Sequence, residues 1–172
     1  MSPLDSPPIF AKRLDNVYYI RENSPVGRVV TQLEATTSEI DTELKYKLAS
    51  TDYVNEELFQ IDQAGRVIIS GRLDRETKAV HQLTFLAETK TSPTLNSYFT
   101  LTVQVLDSND NAPEFQSDPY DIMVSEALAP GTDVVQVQAL DPDFGANGEI
   151  RYLFTQFNYP LMLFCLNTHN YY

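Results

Sequence analysis

Short runs of alternating apolar and polar residues fill positions 16–106, and this pattern constrains the fold more than any other feature. About seven such runs follow one another, separated by turn signals at residues 24–27 and 64–65. No segment sustains the spacing of a long helix. We therefore predict an all-β fold, a seven-stranded Greek-key β-sandwich with antiparallel sheets.

An internal repeat indicates that this sandwich is one unit of a tandem array. Residues 5–10 recur as residues 110–115, an offset of 105. Residues 22–27 recur as residues 126–131, an offset of 104. The second copy follows the first through its opening strands and stops matching after Tyr152. Because half a sandwich leaves strand edges open and apolar surface exposed, we expect this copy to be poorly folded by itself.

The charge of the chain excludes several classes of partner. Twelve Lys and Arg residues stand against 24 Asp and Glu residues, a formal net charge of −12. Nucleic acids and anionic lipid surfaces select basic proteins, so neither is an expected partner. The single cysteine, Cys165, excludes an intramolecular disulfide. The first ten residues do not resemble a secretory signal, and no run reaches the roughly 18–20 apolar residues of a membrane span.

Oxygen donors are concentrated in residues 107–115, which read Asp-Ser-Asn-Asp-Asn-Ala-Pro-Glu-Phe. Hard cations such as calcium take about six to eight oxygen ligands of this kind. Pro113 cannot continue a ladder or a helix, and it biases Ala112 toward an extended conformation. These residues therefore indicate a stiff, oxygen-rich connector between the two copies.

Five motif blocks occur in the order and at the spacing of one known family. They lie at residues 21–23, 59–68, 73–76, 107–115 and 141–152. Each block taken alone is an ordinary loop or turn, but the ordered set is specific. Over roughly residues 10–152 the chain resembles the extracellular repeats of the cadherin superfamily, of the non-classical, protocadherin-like or Fat-like kind.

The resemblance implies calcium as the cofactor, with three ions at the junction between the repeats. The metal ligands that it implies are carboxylates, amides and main-chain carbonyls of Glu22, Asp74, Glu76, Ser108, Asn109, Asp110, Asn111, Asp141, Asp143 and Asn147. Asp107 is a weaker candidate. Asp74 and Glu76 are two residues apart, so their side chains would point the same way in an extended segment. The same expectation holds for Asp141 and Asp143.

The resemblance also implies a domain organisation. Residues 1–15 are expected to be a degenerate linker from a preceding repeat, and residues 16–115 a complete cadherin repeat. Residues 116–152 would be the N-terminal part of a second repeat, and residues 153–172 a non-homologous tail. Glu39 and Asp41 lack the glycines that accompany Asp141 and Asp143, so the other end of the first repeat is expected to be poor in calcium.

The implied function is calcium-dependent cell–cell adhesion, with calcium stiffening the junction and the parent protein adhering homophilically. Expected partners are other cadherin ectodomains, with no small-molecule substrate. The parent protein would lie on the extracellular face of the plasma membrane, which this chain would reach only through other parts of that parent. Two rivals remain open. One is a hydrolase using the carboxylates of Asp74 and Glu76, although we expect no enzyme; the other is a truncated or spliced, non-adhesive fragment with impaired calcium binding.

Overall fold

The computed structural model describes residues 6–11, 16–38, 42–50, 52–117, 122–156 and 161–167. The chain divides into two units, Met1–Leu106 and Asp107–Tyr172. The expectations for Asp5, at the start of the first repeated segment, and for Glu39 and Asp41 lie outside the described residues.

Most strands of the first unit are short, and two span ten and eleven residues. In chain order they are β1 (Ile9–Phe10), β2 (Val17–Arg21), β3 (Val29–Gln32), β4 (Ala35–Thr36), β5 (Leu44–Leu48), β6 (Phe59–Ile61), β7 (Arg66–Ile69), β8 (Val80–Thr89) and β9 (Asn96–Leu106). Seven of them form two sheets, in the orders β2-β9-β8-β5 and β3-β7-β6, and β1 pairs with β4. The predicted seven-stranded β-sandwich is confirmed.

One strand pairing differs from the antiparallel expectation. β8 is antiparallel to both β5 and β9, but β2 runs parallel to β9, from Val17 opposite Thr102 to Arg21 opposite Leu106. Alternation of apolar residues fixes which face of a strand is buried, and it carries no information on the direction of the neighbouring strand. The second strand of this unit, β2, and its last strand, β9, are therefore side by side and parallel.

Alternating residues of the two sheets meet in one core. On β8, His81, Leu83, Phe85, Ala87 and Thr89 are buried, while the residues between them are partly or fully exposed. The apolar core joins side chains of both sheets: Ile20, Leu33, Phe59, Val67, Ile69, Leu73, Leu83, Phe85, Leu101, Val103 and Val105. The period of two in the sequence thus corresponds to the buried face of each sheet.

The predicted turn at residues 64–65 is present between β6 and β7. The Asp62 carboxylate accepts hydrogen bonds from the N–H groups of Ala64 and Arg66, at 2.9 Å each. Gly65 has φ +77°, and a Cβ atom there would lie 2.2 Å from the Leu33 carbonyl oxygen. Glycine is therefore required both by the backbone conformation and by the close approach of the Leu33 main chain, directly after β3.

A short helix, α1 (Tyr53–Leu58), precedes β6. Asp52 caps its N-terminus, because the carboxylate accepts the Val54 N–H at 3.1 Å. The all-β prediction did not include this helix, since six residues are too few to establish a helical period. Its one buried residue is Asn55.

The second unit repeats local hydrogen bonds of the first. Its strands are β10 (Glu114–Phe115), β11 (Ala139–Leu140), β12 (Ile150–Gln156) and β13 (Leu161–Asn167), with a 3₁₀ turn at Gly145–Gly148. β10 pairs with β11 as β1 pairs with β4. The Ala139 N–H donates to the Tyr152 hydroxyl at 2.9 Å, as the Ala35 N–H donates to the Tyr46 hydroxyl at 3.0 Å.

The second unit does not repeat the pairing and burial that β2 has in the first unit. Val124 occupies the repeat position of Ile20, which is 5% exposed and lies on β2 beside β9. Val124 is 53% exposed, and residues 122–125 form no strand in the part of the chain that the structure describes. The turns of the repeat are therefore formed in this unit without a buried core around Val124.

Replacing Phe85 by Ala should destabilise the first unit strongly. Phe85 is fully buried between both sheets, and truncating such a side chain typically costs about 3–5 kcal/mol. Val80→Ala on the same strand, where the side chain is half exposed, should change stability by no more than about 0.5 kcal/mol. Urea unfolding curves measure both, and equal losses would contradict the assigned faces of β8.

Candidate metal centre

Glu22 lies directly after β2, at one end of the first unit. Its N–H donates to the Leu106 carbonyl at 3.1 Å, which continues the pairing of β2 with β9. The side chain is only 2% exposed, and its Oε2 accepts the Arg75 N–H at 2.8 Å. A carboxylate in such a position is held at a fixed place and has lost most of its water.

Asp74 is held by a turn that follows the buried Leu73. Its Oδ1 accepts the N–H groups of Glu76 and Thr77 at 3.1 and 3.3 Å, and its Oδ2 accepts the Thr77 hydroxyl at 2.6 Å. The expectation of an extended segment from Asp74 to Glu76 is therefore wrong. The short side chain of Asp74 bonds to the following main chain, and this bonding closes a turn.

The three carboxylates converge. One carboxylate oxygen from each of Glu22, Asp74 and Glu76 lies within 4.8 Å of the others, and we call this group the carboxylate cluster. Arg75 forms an ion pair with Glu76. The cluster therefore has a donor set and a charge that suit a hard divalent cation.

The pKa values of two cluster members move in opposite directions. Burial raises the pKa of Glu76, and the neighbouring Glu22 carboxylate adds to the rise, while Arg75 opposes it. The hydrogen bond from the Thr77 hydroxyl lowers the pKa of Asp74, and main-chain donors add to that effect. The lowered pKa favours the anionic form of Asp74. The raised pKa disfavours the anionic form of Glu76, and a cation that cancelled the repulsion from Glu22 would favour it again.

A second group of the predicted ligands meets in the second unit. Asp143 is buried, and its carboxylate accepts the side-chain amide of Asn111 at 2.7 Å. The Asp143 N–H donates to Asp141 Oδ1 at 3.0 Å, so these two residues also form a local turn rather than an extended pair. The Asn111 amide lies 3.2 Å from Asp110 Oδ1. These four residues bring three carboxylates and one amide to one side of the unit.

Asp107 is better placed than the sequence suggested. Its Oδ1 accepts the Phe144 N–H at 3.1 Å, and its Oδ2 accepts the Asn147 amide at 2.7 Å. The family resemblance made Asp107 a weaker candidate ligand than its neighbours. Its position as the first carboxylate of the connector is the sequence signal that could have made it a stronger one. Gly148 allows this packing, since a Cβ atom there would lie 2.3 Å from the Asp143 carbonyl oxygen.

The remaining predicted ligands, Ser108 and Asn109, lie in the connector. The Ser108 carbonyl accepts the Asp110 N–H at 2.8 Å, and Ser108 is buried. Asn109 is half-buried. Glu126, the repeat counterpart of Glu22, is exposed, so the second unit does not bury a carboxylate there.

Comparison with known proteins shows the family of the chain. The family model for the cadherin domain matches residues 16–106. The chain belongs to the cadherin family. Protocadherin Fat 4 of Mus musculus is 37% identical over 150 residues, which are 86% of this chain and 3% of that protein. The Fat-like cadherin-related tumor suppressor homolog of Drosophila melanogaster is 38% identical over 152 residues, with 86% and 3% covered.

Solved cadherin structures share the fold. Mouse Cadherin-23 EC22–24 superposes with a TM-score of 0.80 at 27% identity, over 90% of this chain and 49% of that one. The protocadherin gammaB7 EC3–6 cis-dimer structure gives a TM-score of 0.75 at 27% identity, over 91% and 40%. Cadherin repeats of this kind are adhesion modules and not enzymes, as predicted, and calcium binding is a trait of cadherin domains.

The cadherin chain spans only a small part of its curated relatives, 3% of the Fat 4 proteins. Among the described residues, no helix has both the length and the apolar character needed to cross a bilayer.

In the metal-free protein, stability should fall as the pH rises through the folded-state pKa of Glu76. That pKa is raised above its ordinary value of 4.5, so the contribution of Glu76 is present below 4.5 and is lost above the raised value. Glu22→Gln should reduce the loss, because a neutral amide removes the like charge and can still accept the Arg75 N–H. Thermal midpoints in chelator between about pH 4.5 and 7.5 measure the difference. Identical pH profiles for both proteins would exclude the proposed repulsion.

Proposed function

We propose that this cadherin chain is a calcium-dependent adhesion module in which Glu22, Asp74 and Glu76 bind calcium. The observation that carries the proposal is the carboxylate cluster itself, with ligand oxygens of the three side chains within 4.8 Å of one another. Glu22 is buried beside two other acids, and such a carboxylate is unfavourable unless a cation or several donors compensate it. A bound calcium ion supplies positive charge and ligand positions for these oxygens.

Hydrogen bonds and an ion pair fix the carboxylates of the cluster in the absence of an ion. The Thr77 hydroxyl and the main-chain N–H groups of the turn fix the Asp74 carboxylate. The Arg75 N–H fixes Glu22 from the same turn, which connects the end of β2 to the loop before β8. Arg75 is ion-paired with Glu76, so an arriving cation competes with this ion pair. The turn is thus organised before any metal binds, which reduces the ordering cost of binding.

Further ligands belong to the connector and the second unit. We assign this role to Ser108, Asn109, Asp110, Asn111, Asp141, Asp143 and Asn147, with Asp107 as an additional carboxylate. Because residues 107–111 follow β9 directly, ions bound by these residues would stiffen the connector. The domain organisation proposed is a complete repeat at residues 16–115 and an N-terminal part of a second at 116–152. Residues 1–15 would be a linker, and residues 153–172 a tail.

The proposed partners are other cadherin ectodomains, including copies of the parent protein. A cis-dimer is described for the related protocadherin gammaB7 repeats, and the gamma B2 relatives are described as extracellular cadherin domains. By that similarity, the parent protein would act homophilically on the extracellular face of the plasma membrane. The acidic charge of −12 suits a surface that associates through calcium rather than through direct attraction between chains.

The second candidate is a non-adhesive fragment with impaired calcium binding. The half-exposed Val124, in the repeat position of the buried Ile20, favours this alternative. A second unit without a core would hold its calcium ligands less rigidly than the first. Adhesion would then fail even though the carboxylate cluster of the first unit still bound an ion.

Calcium should raise the thermal unfolding midpoint of the chain relative to chelator, because an ion that binds only the folded state stabilises it. Glu76→Gln should remove most of this rise, since it deletes one anionic ligand. Glu57→Gln, on the exposed side of α1, is the matched control and should keep the full rise. A midpoint unchanged by millimolar calcium in the wild-type chain would refute the site, and an equal loss in the control would refute its location.

Beads coated with the chain should aggregate in calcium and disperse in chelator if the chain is an adhesive module. Coating with Glu76→Gln should reduce aggregation, whereas coating with Glu57→Gln should not. Aggregation that is equal in calcium and chelator would count against calcium-dependent adhesion. A calcium-dependent melting midpoint without any aggregation would favour the fragment alternative instead.

A further inference from the structure

His81 is a buried histidine that the calcium site does not use. It lies on β8, is 0% exposed, and packs edge-on against Phe59, with ring centroids 5.2 Å apart and an interplanar angle of 66°. Its Nδ1 lies 2.8 Å from Oδ1 of Asn55, the buried residue of α1. This hydrogen bond joins the only α-helix of the described residues to the four-stranded sheet.

The partners of Asn55 determine where the proton of His81 lies. The Asn55 Nδ2 group donates to the Gln82 carbonyl at 2.9 Å and to Ser50 Oγ at 3.2 Å. Its Oδ1 therefore faces His81, and an amide oxygen can only accept a hydrogen bond. Nδ1 of His81 must then carry the proton in the neutral ring. A second proton, taken up in acid, would have to enter at Nε2.

The surroundings of His81 disfavour that second proton. Burial lowers the pKa of His81, and the positive charge of Lys78 adds to this effect, while the Lys78 carbonyl and Asp52 act in the opposite direction. Lys78 is itself ion-paired with Asp52, the N-cap of α1. The strands packed beside the ring, β6 and β9, contain no charged residue, and the other acids of α1, Glu56 and Glu57, are exposed.

Water has access to the edge of this network. A cleft of about 500 Å³ is lined by Ser50, Asp52, Asn55, Lys78 and Gln82, together with small apolar and hydroxyl side chains. Protons and solvent can therefore reach the contact between α1 and β8 without unfolding of the whole sandwich. An opening at this contact exposes the histidine to the buffer.

We propose that the contact of the buried His81 with α1 is acid-sensitive: protonation at Nε2 keeps the Nδ1–H donor to Asn55 but places a charged ring in the core, and this releases α1 from β8. The inference is independent of calcium binding. Because the imidazole binds a proton less readily in the folded chain than in the released state, its contribution to stability is full above about pH 6.5. That contribution is lost as the pH falls below this value, by at most tenfold in the opening equilibrium per pH unit.

Hydrogen exchange of residues 53–58, followed at about pH 7.5 and 5.5 in the full chain, tests the proposal. After correction for the intrinsic rate of exchange, protection of α1 should fall in the wild type at the lower pH. His81→Gln, whose amide can donate to Asn55 Oδ1 and does not titrate in this range, should keep the same protection at both values. Glu76 and the other acids are common to both proteins, so the difference between them isolates His81.

A second variant should reverse the direction in which the protection of α1 changes with pH. In Asn55→Asp a carboxylate replaces the amide oxygen beside Nδ1, and an opposite charge at that distance favours the protonated ring. Protection of α1 in this variant should therefore rise, not fall, at the lower pH. An imidazole that titrates at about 6.5 in NMR spectra of the wild type would overturn the proposal, even if neither variant folded. Equal pH dependence in the wild type and in His81→Gln would overturn it as well.

Discussion

Repulsion among three carboxylates at one end of the first sandwich is the constraint on which the rest of this structure depends. Glu22 directly follows β2, and Asp74 and Glu76 belong to the turn before β8, so the sandwich fold itself brings the three together. Arg75 pairs its guanidinium with Glu76, and neutral N–H and hydroxyl groups donate hydrogen bonds to Glu22 and Asp74. These groups fix the positions of the carboxylates, and the like charges of those carboxylates are the physical basis of the proposed link between this end of the sandwich and a bound cation.

Much of the fold could be predicted from local sequence. The alternation along β8 corresponds to its buried and exposed faces, and Gly65 lies in the turn that its sequence indicated. The parallel pairing of β2 with β9 could not be predicted, because it depends on which strands become neighbours after the chain has crossed between sheets. The helix α1 was missed because an N-cap at Asp52 and a buried side chain at Asn55, rather than a helical period, hold it in place.

The residues of the candidate site were predicted from the order and spacing of motifs. The geometry of the site was not predicted. Glu22, Asp74 and Glu76 do meet, but the segment that carries Asp74 is a turn closed by Thr77, not an extended strand. Arg75 and Thr77 orient these carboxylates and were not predicted to do so, although the side chain of an aspartate commonly closes a turn on the main chain that follows it. The residues that meet could thus be predicted from a motif, whereas the orientation of their carboxylates depends on hydrogen bonds that form only in the folded chain.

A crystal structure of the chain grown in millimolar calcium tests the central claim most directly. We predict an ion bound by carboxylate oxygens of Glu22, Asp74 and Glu76 at about 2.3–2.6 Å, with Arg75 displaced from its pairing with Glu76. A structure at the same calcium concentration in which those three side chains contact only water and protein donors would contradict it.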